Sequence, residues 1–276
     1  MQLLLDVLGQ VAHTLKGVLP ISVGLALIFT GLAGMTPCNP GAPWWRKREI
    51  VTDLCYWFII PVFGRFARIG LTVLCTIYFL GIRDGNTIAR FFQNGHGPVS
   101  LLPFWSQCVI YIVVSDFLHY WAHRLFHRGA FWKYHAVHHS SVELEWISAA
   151  RFHPFNLLAD SIFIDVTLLM SGISPTIFLL IGPFNVFTSA MVHANLCWTF
   201  GPLKYVFASP VFHRWHHTLP AEGGERNFAG TFSLLDVIFG TFYMPETGRP
   251  SRYGVEDPTL FSASFGSQLL RPFLKR

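Results

Sequence analysis

Histidine spacing is the feature of this sequence that most constrains what the chain can build. Six histidines fall within residues 116–139, DFLHYWAHRLFHRGAFWKYHAVHH. His119, His123 and His127 are four residues apart, so on a helix their side chains share one face. The HxxHH pattern that ends this stretch returns downstream at residues 213–217. Two such patterns in one chain indicate that these side chains meet at a common site.

The clustered histidines predict a site for two metal ions. Neutral imidazole is the commonest protein ligand for first-row transition metals. The clustered histidines are too many for one four-coordinate ion and about right for two. They form three clusters: His119, His123 and His127; His135, His138 and His139; and His213, His216 and His217.

The sequence lacks two carboxylate-containing metal motifs. Residue Tyr120 of HYWAH stands where a zinc metalloprotease has the glutamate of HExxH. The ExxH motif of carboxylate-bridged di-iron bundles does not occur either. The simplest interpretation is therefore a site built from imidazole alone.

Composition places this site in a membrane protein. Hydrophobic residues make up 52% of the chain and charged residues only 13%, against about 25% charged in soluble domains. The net charge of +5 is explained by the basic bias of cytoplasmic loops. The basic residues are dispersed and are not interleaved with aromatic residues, so a nucleic-acid partner is not expected. We predict an all-α, polytopic membrane protein with a cytoplasmic, histidine-rich helical cap that holds the di-metal site.

Several apolar runs are long enough to cross a bilayer, which takes roughly 20 residues. We expect a first span at 17–35 and one net crossing within 51–82, with a hairpin there as the alternative. Further spans are expected at 101–118 and in the pair 156–171 and 174–192.

Basic residues decide between the two topologies. With a single crossing in 51–82, Arg46–Arg48 and the histidine clusters share the cytoplasmic side. The bias towards cytoplasmic lysine and arginine favours that arrangement. The basic residues that would then face the cytoplasm with the clusters are Arg124, Arg128, Lys133, Arg151, Lys204 and Arg214.

At this point the chain resembles a known family. The segments DFLHYWAHRLFH, WKYHAVHHSS, ARFHP, HAN at 193–195, HRWHH and NF…D…FGT at 227–241 are similar to the sterol desaturase / fatty acid hydroxylase superfamily. The resemblance covers about 115–243 within a single domain spanning 1–276. It implies two iron ions, with O2 as co-substrate, bound on the cytoplasmic side. By matching position, it implies the ligands His119, His123, His135, His138, His139, His193, His213, His216 and His217.

Five further residues are expected near the ligands without certain ligation. Asp116 precedes His119 by one helical turn and either accepts from a ligand imidazole or is a charge at the helix boundary. His127 shares the face of the first cluster and is either a ligand or a supporting residue that contacts a ligand or a backbone carbonyl. Glu145 stands where many family members have asparagine, so its contact is metal or substrate. The remaining two are His153 and Asn195.

Two carboxylates stand out in the apolar run after the second cluster. Asp160 and Asp165 lie where charged groups are costly and often functional. The alternative is an interfacial helix end with a polar contact between helices. Both interpretations stay open from the sequence.

The resemblance implies O2-dependent hydroxylation or desaturation of a membrane lipid such as a sterol, fatty acyl lipid or carotenoid. We expect the target carbon to enter an apolar, aromatic-lined pocket. No haem-binding, flavin-binding or nicotinamide-binding motif occurs, so a separate electron donor is implied: cytochrome b5, or ferredoxin with its reductase. The alternatives are a zinc transporter, which would favour ligands inside the spans, and a zinc hydrolase.

Overall fold

The chain folds into helices, as its sequence predicts. A computed structural model describes residues 2–246, 248–256 and 264–274. Those ranges contain no strand, and their one isolated bridge joins Thr218 to Tyr253. The α-helices are α1 (Gln2–Met35), α2 (Ile50–Tyr78), α3 (Gly85–Asn94), α4 (Gly97–Ser100), α5 (Phe104–Phe126), α6 (Trp132–His139), α7 (Pro154–Asp160), α8 (Val166–Met170), α9 (Pro175–His193), α10 (Pro210–His216), α11 (Leu234–Ile238) and α12 (Phe265–Leu270). Short 3-10 turns lie at Trp44–Arg46, Gly129–Phe131, Trp146–Ala150, Gly201–Tyr205, Pro220–Glu222 and Arg271–Phe273.

Three of these helices are long and apolar enough to cross a membrane. They are Leu4–Met35 within α1, Ile50–Tyr78 and Pro175–His193. The first begins well before the expected start at residue 17, because Lys16 does not interrupt α1. Length and composition thus agree with a membrane protein.

Helix α2 settles the local structure of the second apolar run. Its 29 residues form one continuous helix with Pro61 inside it. At 1.5 Å per residue, such a helix spans about 43 Å. A hairpin within 51–78 is excluded, because the chain does not reverse there.

Two of the expected membrane spans, 101–118 and 156–171, do not form long apolar helices. Helix α5, which contains 101–118 in part, carries Asp116 and two histidines in its second half. The run 156–171 consists of α7 and α8 joined by a π-helical turn at Ser161–Asp165. Neither is among the helices with the length and hydropathy of a span.

A tryptophan-centred core packs behind the histidine clusters. Trp146 is 2% exposed, and its ring centroid lies 5.0 Å from that of Trp57 on α2 and 5.1 Å from that of Trp44. Phe29 of α1 stacks on the same ring at 6.5 Å. Burying aromatic rings of this size contributes several kcal/mol. This core joins α1, α2 and α9 to the turn that follows the second cluster.

Three basic residues counted with the cytoplasmic surface are buried. Lys47, Arg151 and Arg214 are 4%, 0% and 1% exposed. Arg214 donates to the carbonyl oxygens of Leu144 and His193 at 2.9 and 3.2 Å. These side chains connect segments of the protein in its interior. They are therefore not evidence for a positively charged cytoplasmic surface. The sequence does not distinguish the two roles, because both need only a cation beside an apolar helix.

Three helices near the clusters begin in the same way. Each starts with proline at its first position, where the missing N–H costs nothing. The preceding side chain accepts a backbone N–H and so caps the helix. The capping residues of α7, α9 and α10 are His153, Ser174 and Ser209.

Candidate metal centre

The fold brings nine histidines together in two groups. Within each group, one ring nitrogen of every histidine lies within 4.8 Å of the others, and all of the rings are buried. The first group, which we call the His123 group, contains His123, His127, His135, His139 and His216. The second, the His138 group, contains His138, His193, His213 and His217.

Each HxxHH motif supplies both groups. In α6, His135 and His139 enter the His123 group, whereas the intervening His138 enters the other. In α10 the pattern reverses, so that His216 alone joins the His123 group. The first and last histidines of the motif lie about 40° apart around the helix, and the middle one lies about 60° from the first and about 100° from the last. The motif therefore spans two adjacent sites, which is more than the common face expected from the sequence.

The two groups contact each other through a pair of stacked rings. The ring centroids of His139 and His217, from different groups, are 4.4 Å apart and stacked. Those of His139 and His216 are 4.6 Å apart within one group. Ions held by the two groups would consequently be close neighbours.

Outward hydrogen bonds define the ring orientation in the His123 group. Three Nδ1 atoms face oxygen acceptors, so they carry the proton and donate it. The pairs are His123 with the Phe228 carbonyl at 2.7 Å, His135 with Asn156 Oδ1 at 2.8 Å, and His216 with the Arg226 carbonyl at 2.7 Å. The Nε2 lone pairs of these rings are left facing inward.

The inward nitrogens of this group have no protein partner. The Nε2 atoms of His123, His127, His135, His139 and His216 are all buried without a hydrogen bond among the described residues. Buried polar atoms are normally satisfied, and unpaired ones are costly. Five converging lone pairs are what a bound cation would satisfy. Outward bonds to carbonyl and amide oxygens are likewise typical of metal-ligating histidine.

The spacing of the ring nitrogens in the His138 group also suits a bound cation. Its Nε2 atoms are 3.3 Å apart between His138 and His193, and 3.2 Å between His193 and His213. The Nδ1 atoms of His138 and His193 donate to the carbonyls of Arg151 and Ser189, so their facing Nε2 atoms are both acceptors. Ligands at 2.0–2.1 Å from a tetrahedral ion lie about 3.3 Å apart. The donor set therefore fits a metal ion.

Burial keeps these imidazoles in the ligand form. Loss of solvent lowers the pKa of His135 to about 4 and that of His216 to about 3. The same cause, reinforced by neighbouring histidines, places the pKa of His138 and His139 well below the ordinary value. Both groups are consequently neutral at pH 7, as metal binding requires.

The loop 226–232 holds the His123 group from outside. The Asp236 carboxylate accepts the backbone N–H groups of Phe228 and Ala229 at 2.7 and 2.8 Å. The Asn227 side chain donates to the carbonyls of Phe212 and Tyr243 at 2.8 and 2.7 Å. These contacts explain the NF…D…FGT segment, because they present the carbonyls that orient His123 and His216.

A buried ionic network supports the His138 group. The Arg151 guanidinium pairs with Asp53, and with Glu49 at 3.1 Å. Lys47 pairs with the same Asp53 at 2.5 Å. Since the Arg151 carbonyl accepts from His138, the start of α2 is connected to a candidate metal ligand.

Glu145 supports the turn that delivers Arg151. Its side chain accepts the Ser148 backbone N–H in a capping box at Trp146–Ala150. Burial raises the pKa of Glu145 to about 7. It belongs to neither histidine group.

The structure differs from the sequence interpretation at the first cluster. His127, for which the sequence leaves both ligation and a supporting role open, lies in the His123 group, whereas His119 lies in neither group. The His119 ring is 5.2 Å from that of His123 and faces a neighbouring cavity. Three histidines at four-residue spacing share one face, so spacing alone leaves open which two enter the site. The other eight expected ligands are all in the two groups.

Three expected neighbours have structural contacts. Asp116 accepts the backbone N–H groups of Thr231 and Phe232, both at 2.8 Å, instead of a ligand imidazole. His153 caps α7 and bonds the Leu269 carbonyl at 3.1 Å. Asn195 pairs with the Asn39 backbone through Oδ1 at 2.9 Å and Nδ2 at 2.8 Å.

Sequence reasoning missed the groups that orient the rings. Asn156 accepts from His135 and donates to Asp160 at 2.9 Å, so Asp160 acts on the site through an amide. Asn156 follows ARFHP by two residues, a proximity that could have drawn attention to it. Backbone carbonyls, which orient four other rings, have no signature in side-chain type.

Two open spaces adjoin the histidines. A cavity of about 300 Å³ reaches His119, His123, His135, His138, His193 and His213. A wider groove of about 1020 Å³ approaches His127 and His139 from another side. The centre is accessible to small molecules while its ligand atoms are buried.

The histidine-rich half of the chain matches a known protein family. The family model described as "Fatty acid hydroxylase" matches residues 108–241. That region contains α5, α6, both HxxHH motifs and the loop that orients His123 and His216. Residues 108–241 therefore form a fatty acid hydroxylase domain, within the superfamily that the histidine motifs resemble.

Its relatives act on chemically different lipids. It is 33% identical over 175 residues to the ornithine lipid hydroxylase OlsE of Rhizobium tropici, covering 63% of this chain and 52% of that protein. It is 32% identical over 152 residues to alkylglycerol monooxygenase of Caenorhabditis elegans, covering 55% and 29%. For methylsterol monooxygenase 1-3 of Arabidopsis thaliana the identity is 27% over 175 residues, covering 60% and 54%. The matched region thus spans about half or less of these relatives, and no solved structure matches the chain.

Proposed function

We propose that this chain is an O2-dependent di-iron lipid oxidase, with hydroxylation favoured over desaturation. The observation that carries the proposal is the pair of adjacent, all-histidine groups with inward, unpartnered nitrogens. Each group supplies four or five neutral imidazoles, which suit iron as well as zinc. The relatives' printed activities, hydroxylase and monooxygenase, support oxygen chemistry.

The ligand assignment follows the groups. One iron would be held by His123, His127, His135, His139 and His216, the other by His138, His193, His213 and His217. When bound, the irons supply O2 activation for attack on an unactivated C–H bond; hydroxylation takes two electrons and two protons and releases one water.

The protein contributes position and exclusion of water. The Arg151, Arg226 and Phe228 carbonyls hold three rings in one orientation each. Burial of the rings keeps competing water away from the ligand atoms. The 300 Å³ cavity lies against six of the histidines and is where a target carbon would be held.

We also propose a membrane setting with the centre on the cytoplasmic side. The apolar helices α1, α2 and α9 support several crossings, and the position of His193 at the end of α9 supports a site beside one of them. A lipid could then react without leaving the bilayer, which avoids about 0.8 kcal/mol for each CH2 taken into water. Electrons would come from a separate donor, cytochrome b5 or ferredoxin with its reductase, approaching from the cytoplasm.

The test supplies membranes containing the protein with iron, an electron-donor pair and 18O2. Lipids are compared with those from the His138→Ala variant and from a matched His13→Ala variant, since His13 lies in α1 outside both groups. We expect a lipid that gains one labelled oxygen, or loses two hydrogens, with wild type and His13→Ala only. Unchanged sterols, acyl lipids and carotenoids under all conditions would favour the zinc hydrolase or transporter.

A further inference from the structure

The wall of the cavity beside the metal centre combines an apolar surface with charged groups. Five of its lining side chains are purely hydrocarbon. They are Ile112, Phe152, Leu157, Ile164 and Val192. Most other lining residues are charged, amide, hydroxyl or imidazole side chains. More of the cavity wall is apolar than polar, as expected from the sequence, and charged side chains interrupt that apolar surface.

A π-helical turn places two carboxylates in this cavity. Asp160 and Asp165 flank and end the turn Ser161–Asp165 and both line the cavity. In an α-helix, residues five apart point about 140° away from each other. The wider π turn closes an i→i+5 repeat, so that such residues face the same side. Turns of this kind are frequently found at functional sites.

The charged groups there are only partly paired. Arg68 Nε donates to Asp165 Oδ2 at 2.8 Å, and its two terminal nitrogens have no hydrogen bond among the described residues. Asp160 Oδ2 accepts from Asn156 at 2.9 Å, whereas Asp160 Oδ1 is buried without a partner in the described structure. The cavity thus presents one unused acceptor and one unused guanidinium fork.

Charged side chains within membrane-spanning helices are expensive and often functional. Arg68 lies on α2, a helix long and apolar enough to span a membrane. Its free fork matches the two oxygens of a carboxylate or phosphate. The unpaired carboxylate oxygen of Asp160, with Asp165 beside it, matches an ammonium group.

We propose that this cavity binds the headgroup of a zwitterionic lipid. The ammonium lies between Asp160 and Asp165, and the acidic group lies on the terminal nitrogens of Arg68. This inference rests on the proposed function and names its substrate class. A cavity of about 300 Å³ holds on the order of ten non-hydrogen atoms. Because the same cavity ends at the histidines, the oxidised carbon belongs to the headgroup or adjoins it.

Binding tests the proposal without turnover. Zinc-loaded protein in nanodiscs is titrated with ornithine lipid, whose headgroup carries an amine and a carboxylate, and with an alkylglycerol, which carries hydroxyls only. We expect ornithine lipid to bind at least tenfold more tightly. Arg68→Gln should weaken ornithine lipid at least tenfold and leave alkylglycerol unchanged, and Arg68→Lys should restore part of the loss.

Arg65→Gln is the matched control. Arg65 lies one turn away on α2, bonds Gln10 at 2.9 Å and does not line the cavity. The double variant Arg68→Gln/Asp165→Asn removes the ion pair without leaving one charge alone, in case the single variant unfolds. Equal binding of the two lipids, or equal losses in Arg65→Gln and Arg68→Gln, would overturn the proposal.

The outcomes separate this inference from the proposed function. Selective, Arg68-dependent binding without any iron-dependent oxidation would uphold the headgroup site and refute the oxidase. Oxidation of lipids without selective binding of the zwitterion would do the reverse.

Discussion

His138 Nδ1 lies 3.1 Å from the carbonyl oxygen of Arg151, whose guanidinium is buried against Asp53 and Glu49. A candidate metal ligand is thereby connected to an ionic network that begins before α2. The network orients the His138 ring through the backbone carbonyl of Arg151. The contribution of this network to metal binding can therefore be measured as a change in metal affinity.

Asp53→Asn should weaken metal binding in the His138 group about tenfold or more, as removal of a ligand's support usually does. The substitution leaves Arg151 and Lys47 buried with one partner fewer, so it should also lower the free energy of unfolding by about 3 kcal/mol. Competition for zinc against a chelator and thermal unfolding measure the two effects. Asp84→Asn is the control, because Asp84 is an exposed helix cap. Unchanged affinity in Asp53→Asn would separate the network from the metal centre.

The first cluster gives a test between two neighbouring histidines. His127→Ala should reduce the bound metal by up to one ion per chain, because His127 Nε2 faces the His123 group. His119→Ala should retain both ions, since His119 lies outside both groups. Elemental analysis of the two purified variants decides. The reverse pattern would return His119 to the ligand set.

Acid should destabilise the metal-free protein. Burial lowers the pKa of His216 to about 3 and that of His135 to about 4, whereas the unfolded chain titrates near 6.5. Between those values the unfolded state binds protons that the folded state does not bind. The free energy of unfolding therefore falls as the pH drops from about 6.5 towards 4. Each such histidine costs up to about 1.4 kcal/mol per pH unit in that window.

The melting temperature of chelator-treated protein, followed from pH 7.5 to 5, measures this loss. A melting temperature that rises on acidification would mean that the buried histidines are already charged in the folded protein.

Membrane orientation is testable at exposed positions. Single cysteines at Arg48 and Lys133, both exposed, should be labelled from the same, cytoplasmic side. The experiment needs a background without the native free cysteines, which are Cys38, Cys55, Cys75, Cys108 and Cys197. Labelling of the two positions from opposite sides would refute the single crossing of α2 as a topology.

Much of the site was predictable because histidine is rare, and its spacing is tied to helix geometry. HxxHH predicts clustered ligands wherever it lies on a helix, and the all-α class follows from the apolar runs. The choice between His119 and His127 was not predictable, since both share a face with His123. The loop carbonyls of Arg226 and Phe228 could not be predicted from the sequence, because every residue has a backbone carbonyl. Buried Arg151 and Arg214 looked like surface charges, because only tertiary packing shows their partners.

Metal content measured on protein purified without oxygen from iron-replete cells tests the central claim most directly. The two histidine groups predict two iron ions per chain in the wild type. They predict loss of metal in His138→Ala and in His216→Ala, each in the group that loses its ligand. One ion per chain, or full iron content in both variants, would contradict a di-iron centre held by these groups.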